Sequence, residues 1–142
     1  MSAFASRRSF LREFAFAIAF VFARPLHVVL REHAISANDL IVRLTSVLVH
    51  RESAAMIGQE YLRRVPEENN IDVLVDLICS PGAGQQKELM YSGDAKALRA
   101  ILSSQQRDDF ANDRTSKVQG WILSDTEVRL CALAALTADS SG

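Results

Sequence analysis

Ser124-Asp125-Thr126-Glu127-Val128-Arg129-Leu130-Cys131-Ala132-Leu133-Ala134-Ala135-Leu136 is the stretch that decides the fold. Ser124 and Glu127 stand three apart, the spacing of a capping box in which a hydroxyl and a carboxylate satisfy free amides at a helix start. Leu123 and Val128 occupy the N′ and N4 places of a hydrophobic staple. Beyond the cap the run is nearly all apolar, with Arg129 its sole charge. A helix of that kind must be covered on every side. It is therefore expected to be the central or the partner-facing helix, with Val128, Leu130 and Leu133 as interface residues.

Working back from this helix, Thr115 to Leu123 changes character. Val118, Trp121 and Ile122 favour extended backbone, and Gln119-Gly120 suits a tight turn, so a short hairpin is expected. Trp121, the only Trp, is either a core anchor or an interface hot spot. Ser92-Gly93-Asp94 starts a helix with Ala97, Leu98, Ile101, Leu102 and Phe110 on one face and an exposed polar part from Ser103 to Asp109. Asp108, Asp109 and Asp113 lack the alternate spacing and the turn glycine of a calcium loop, which leaves a solvated helix end.

Pro66-Glu67-Glu68 suits a helix start, with acids complementing the dipole, and the helix runs to Cys79 on an apolar face of Ile71, Leu74, Val75 and Ile78. Ser80-Pro81-Gly82-Ala83-Gly84 ends it. Gly84-Gln85-Gln86-Lys87-Glu88 fails the phosphate-loop pattern, which needs Lys directly after the last Gly, and reads as surface loop. Further back, Ser36 caps a helix over 37–52, and a second helical segment over 53–64 stops at the residue before Val65-Pro66; the two can also be read as one kinked helix. Gly58 either lets another helix approach closely or costs about 1 kcal/mol relative to Ala. The sum is a mainly α fold, a compact bundle of four or five helices with one short extended segment or hairpin near 115–123.

The chain's 142 residues hold one domain plus appendages, and a net charge of −1 gives no basic field, so nucleic acid is not an expected partner. Composition is uneven. Six of the 7 Phe residues fall in the first 22 positions. Ser6-Arg7-Arg8-Ser9-Phe10-Leu11-Arg12 precedes an apolar run from Phe14 to Ala23, the order of an export signal, and Val21 and Ala23 supply the small −3 and −1 side chains for cleavage. Arg7, Arg8 and Arg12 against Glu13 make this leader +2, so the remainder carries −3 of the chain's −1. The expected organisation is a leader over 1–23, a lead-in over 24–36, a helical domain over 37–136 and a small polar tail over 137–142.

Ser6 to Arg12 resembles the twin-arginine translocation signal, Ser/Thr-Arg-Arg-x-Phe-Leu-Lys, with Arg12 in place of Lys. Arg7, Arg8, Phe10 and Leu11 are its matched positions. The resemblance implies contact with the twin-arginine translocation machinery and a periplasmic or envelope location. Retention of residues 14–30 as an anchor, with membrane contact through the amino-terminal segment, is the alternative. The run breaks at Arg24-Pro25 after about ten residues, whereas a span needs about 20. The leader followed by a helical domain of this size is also similar to the small subunits of periplasmic flavin-dependent dehydrogenases, the gluconate 2-dehydrogenase subunit 3 group. That likeness implies a larger enzyme subunit as partner and carries over no functional residue.

Candidate chemistry is sparse. Cys79 and Cys131 either form a disulfide, as exported pairs do, or pack as thiols. His27, His33 and His50 lack the i, i+3 or i, i+4 spacing of helical metal ligands. Glu60, Asp72 and Asp76 fall on polar faces, and Arg63-Arg64 complements a helix carboxyl end. A pocket, if one exists, is to be sought around Tyr61, His50 and Trp121. No catalytic, cofactor or metal motif is found. The expected function is an exported, non-catalytic accessory or structural subunit of an envelope redox enzyme complex, with a free-standing periplasmic binding or structural protein as the alternative.

Overall fold

The computed structural model describes residues 36–81, 84–92 and 94–139. Among these, six α-helices and one hairpin follow in order: α1 (Ala37–Ser46), α2 (Arg51–Arg64), a 3-10 turn (Pro66–Glu68), α3 (Ile71–Cys79), α4 (Gln85–Ser92), α5 (Ala95–Ala111), β1 (Thr115–Val118), β2 (Trp121–Ser124) and α6 (Asp125–Asp139).

The central role expected of the last helix holds. Val128, Leu130, Ala132, Leu133 and Ala135 are all buried, and α6 is touched by α1, α2, α3, α5 and the hairpin. Its capping box is formed: Glu127 N donates to Ser124 Oγ at 3.1 Å, and Ser124 N donates to Glu127 Oε2 at 2.9 Å. The helix continues to Asp139, past the expected end at Leu136, with Thr137 Oγ1 donating to Leu133 O. α2 is its main neighbour. The two backbones meet at Gly58, where a Cβ would stand 2.1 Å from the Cys131 carbonyl oxygen. Gly58 is thus a close-approach residue.

The hairpin is antiparallel, Thr115 opposite Ser124 and Val118 opposite Trp121. Gln119 and Gly120 both take positive φ, 50° and 85°, as a two-residue turn matched to strand twist requires.

Three boundaries differ from expectation. The helix expected over 37–52 ends at Ser46, because Thr45 Oγ1 bonds back to Ile41 O and Leu48 N tightens onto Thr45 O. The segment after Pro66 makes only a 3-10 turn, and α3 starts anew under Asn70, whose Oδ1 accepts from the Asp72 and Val73 amides. Of Gly84–Glu88, expected as surface loop, all but Gly84 open α4, which is pinned to the core by Met90, fully buried.

Candidate functional site: the hairpin and the groove beside it

Val128, Leu130 and Leu133 cannot serve as a partner interface, being 0, 2 and 0% exposed. The fold's own helices cover them. The accessible apolar groups lie elsewhere: Val49 after α1 is 87% exposed, Val42 and Met56 stand out from α1 and α2, and on β2 the adjacent Trp121 and Ile122 are 67 and 63% exposed. Of the two readings of Trp121, the core anchor is overturned. Pairing opposite Val118 at the turn end of the ladder carries its indole beyond the core that Val118 enters.

What holds this hairpin is a buried carboxylate. Asp109, 4% exposed, accepts from the Thr126 amide at 2.9 Å, the Thr126 hydroxyl at 2.7 Å and Arg114 Nε at 2.9 Å. Burial by itself would raise its pKa, but the Thr126 bonds and then Arg114 outweigh burial and hold the carboxyl below its ordinary range. The solvated helix end expected for Ser103–Asp109 is therefore wrong at Asp109, and also at Gln105, which is 5% exposed. Phe110, expected on the core face, is 48% exposed. The helical period that carries Leu98, Ile101 and Leu102 inward passes through Gln105 and Asp109, one residue short of Phe110. That spacing was the available signal.

A second buried cluster locks the other side. Tyr61 Oη donates to Glu68 Oε2 at 2.8 Å, and Arg129 meets the same carboxylate from Nε at 3.1 Å and from its terminal nitrogen at 2.9 Å. Burial alone would raise the Glu68 pKa, yet the bonds from Arg129 and Tyr61 bring it below the usual value. For Tyr61, burial and the neighbouring carboxylate both push the phenol upward. Arg129, the one basic residue of the final helix, thus fastens α6 to α2 and the 3-10 turn. Arg63 and Arg64 both pair with Glu60, and Arg64 also donates to Lys117 O at 2.8 Å, tying α2 to β1.

Between α5 and α6 runs a groove of about 330 Å³, floored by Leu102, Leu130 and Cys131, closed by Val47 and Leu48 at one side and by Leu123 of β2, and edged by Arg99, Ser103, Gln106 and Glu127. Trp121 lies two residues from Leu123, on the same face of the strand. The trio Tyr61, His50 and Trp121 is not brought together: Tyr61 is closed into the core, whereas His50 and Trp121 are exposed.

The chain matches no family model, no curated protein and no solved structure. Function must be argued from the site itself.

Cys79 and Cys131 are both buried and not bridged to each other, which decides against the disulfide. Burial, then Glu127, pushes Cys131 up to about 11, the opposite of an activated nucleophile. Among the described residues, no three His, Cys, Asp or Glu side chains are placed to hold a metal, and no helix is long and apolar enough to cross a membrane. Arg7, Arg8, Phe10, Leu11, Val21, Ala23, His27 and His33 lie outside the described residues.

Proposed function

We propose that this chain is an exported accessory or structural subunit of an envelope redox enzyme complex, working by binding a larger subunit through its hairpin. The observation that carries the binding role is the fixed presentation of Trp121 and Ile122. A two-stranded ribbon is marginal alone. Here the Asp109 clamp and the capping box fasten its base to helices, and Arg64 on Lys117 O ties β1 nearer the turn, so two large apolar side chains are held exposed with little loop entropy to lose on binding. Exposed Trp on a rigid support is the usual composition of an interface hot spot. The twin-arginine pattern at Ser6–Arg12 supports export, because that route takes folded cargo and escorts.

The test is native mass spectrometry of the carboxyl-terminally tagged chain from gently solubilised envelopes. The expected species begins at Arg24 and is bound to a larger, cofactor-bearing chain, and Trp121→Ala removes the larger chain while leaving the fold intact by circular dichroism. A lone mature chain refutes the subunit reading. Retained residues 1–23 with membrane subunits would replace cleavage by anchoring.

A further inference from the structure

Three polar side chains on one edge of the groove have no partner among the described residues. Arg99, Ser103 and Gln106 line the groove, and none makes a hydrogen bond or ion pair among the described residues. They stand at i, i+4 and i+7 on α5, a single row about 10 Å long at ~1.5 Å of rise per residue. On the facing helix, Glu127 uses one carboxylate oxygen to hold the Ser124 amide at 2.9 Å, and its other oxygen has no partner among the described residues. The bond from Thr126 to Asp109 sets the start of α6 beside the end of α5, so Glu127 belongs to the Gln106 end of the row. Arg99 stands at the opposite end.

The groove is therefore cationic at one end, anionic at the other, neutral and hydrogen-bonding between, and apolar along its floor of Leu102 and Leu130. We propose that it binds a short apolar peptide with free ends, about three residues long, since extended residues advance ~3.3 Å each. The peptide carboxylate meets Arg99, its ammonium group meets Glu127, its backbone amides meet Ser103 and Gln106, and its side chains cover the floor. A fatty acid would match Arg99 and the floor but leave the other three polar groups unmet. The volume of about 330 Å³ lies in the range of small-ligand sites. This inference stands independently of the subunit reading, which concerns the hairpin.

Trileucine titrated into the full chain tests it, followed by calorimetry and by fluorescence of Trp121, the only Trp. Saturable binding is expected below about 10 mM, and capping either peptide end should weaken it about fivefold, the worth of a partly exposed ion pair. In Arg99→Gln the difference between the free acid and its amide disappears. In Glu127→Gln the difference between the free and the acetylated amine disappears, while the helix cap survives because Gln also serves in a capping box. The proposal is overturned if the folded chain shows no saturable binding, or if either variant weakens free and capped peptides alike. Decanoate binding as tightly as trileucine would also overturn it and give the groove to anionic amphiphiles.

Discussion

Gly58→Ala sets two effects of opposite sign against each other, and the geometry decides which wins. At an ordinary helix position the change stabilises by about 1 kcal/mol, through helix propensity and a less free unfolded chain. At Gly58 the new methyl would stand 2.1 Å from Cys131 O, 2.4 Å from Cys131 C and 2.7 Å from Ala132 Cα. All three atoms are backbone, so no side chain can turn aside. Ordinary contact starts near 3.4 Å, so the helices must part by about 1.3 Å at this point. A gap of ~0.5–1 Å already forfeits a quarter to a half of each dispersion contact along the seam, and overpacking of this type costs roughly 1–3 kcal/mol or more.

Taking the upper part of that range and subtracting the propensity gain leaves a net loss of about 2 kcal/mol. For a domain of this size that lowers the melting temperature by about 10 °C. Urea unfolding followed by far-UV circular dichroism measures it, with the slope expected unchanged. Cys131→Ala, added to Gly58→Ala, should not restore stability, since the obstruction is the carbonyl and not the thiol. A Gly58→Ala protein as stable as the parent would refute the close-approach reading of the α2–α6 seam.

Gln105 is buried with both side-chain amide atoms unpaired, so Gln105→Met, of similar shape, should raise stability by about 1–2 kcal/mol in the same assay; a loss would mean the amide has a partner. Glu68 and Asp109 both have lowered pKa values in the fold, so each stabilises it above the unfolded values near 4.5 and 3.8, and that contribution is lost as pH falls below them. Stability measured from pH 7 to 2 should accordingly drop on the acid side, and Asp109→Asn should flatten part of that drop; an unchanged profile in the variant would show the clamp to be idle. Gln119, at φ 50°, should gain about 1 kcal/mol on replacement by Gly or Asn, read as a higher melting temperature.

The elements written in local chemistry were legible in the sequence: the capping box at Ser124 and Glu127, the Gln119-Gly120 turn, and the apolar α6. What was not legible depended on partners far along the chain. Glu68 reads as one of two acids after a proline until Arg129, 61 positions on, closes over it. Asp109 reads as one of several surface acids until Thr126 donates to it twice. The break after α1 carries no Gly or Pro, because a threonine bonding back to its own helix makes it. α4 is short and mostly polar, with burial of Met90 in place of a clear periodic face.

The interface expectation fails on α6, whose apolar residues the fold itself covers, whereas Trp121 stays exposed and its partner role is a proposal. A helix as apolar as α6 can be covered by its own fold or by a second chain, and its pattern alone is silent between them. Arg129 discriminates: a lone charge in such a helix must be paired wherever it is buried, and the pairing with Glu68 and Tyr61 inside this chain shows that its cover is intramolecular. Trp121 and Ile122 have no such internal account. Their strand is short, its partner strand sends Val118 inward, and both remain largely in water. Two large apolar side chains exposed on a ribbon fastened at its base to helices are what the proposed subunit role would use, which is why the subunit experiment turns on Trp121→Ala and not on any residue of α6.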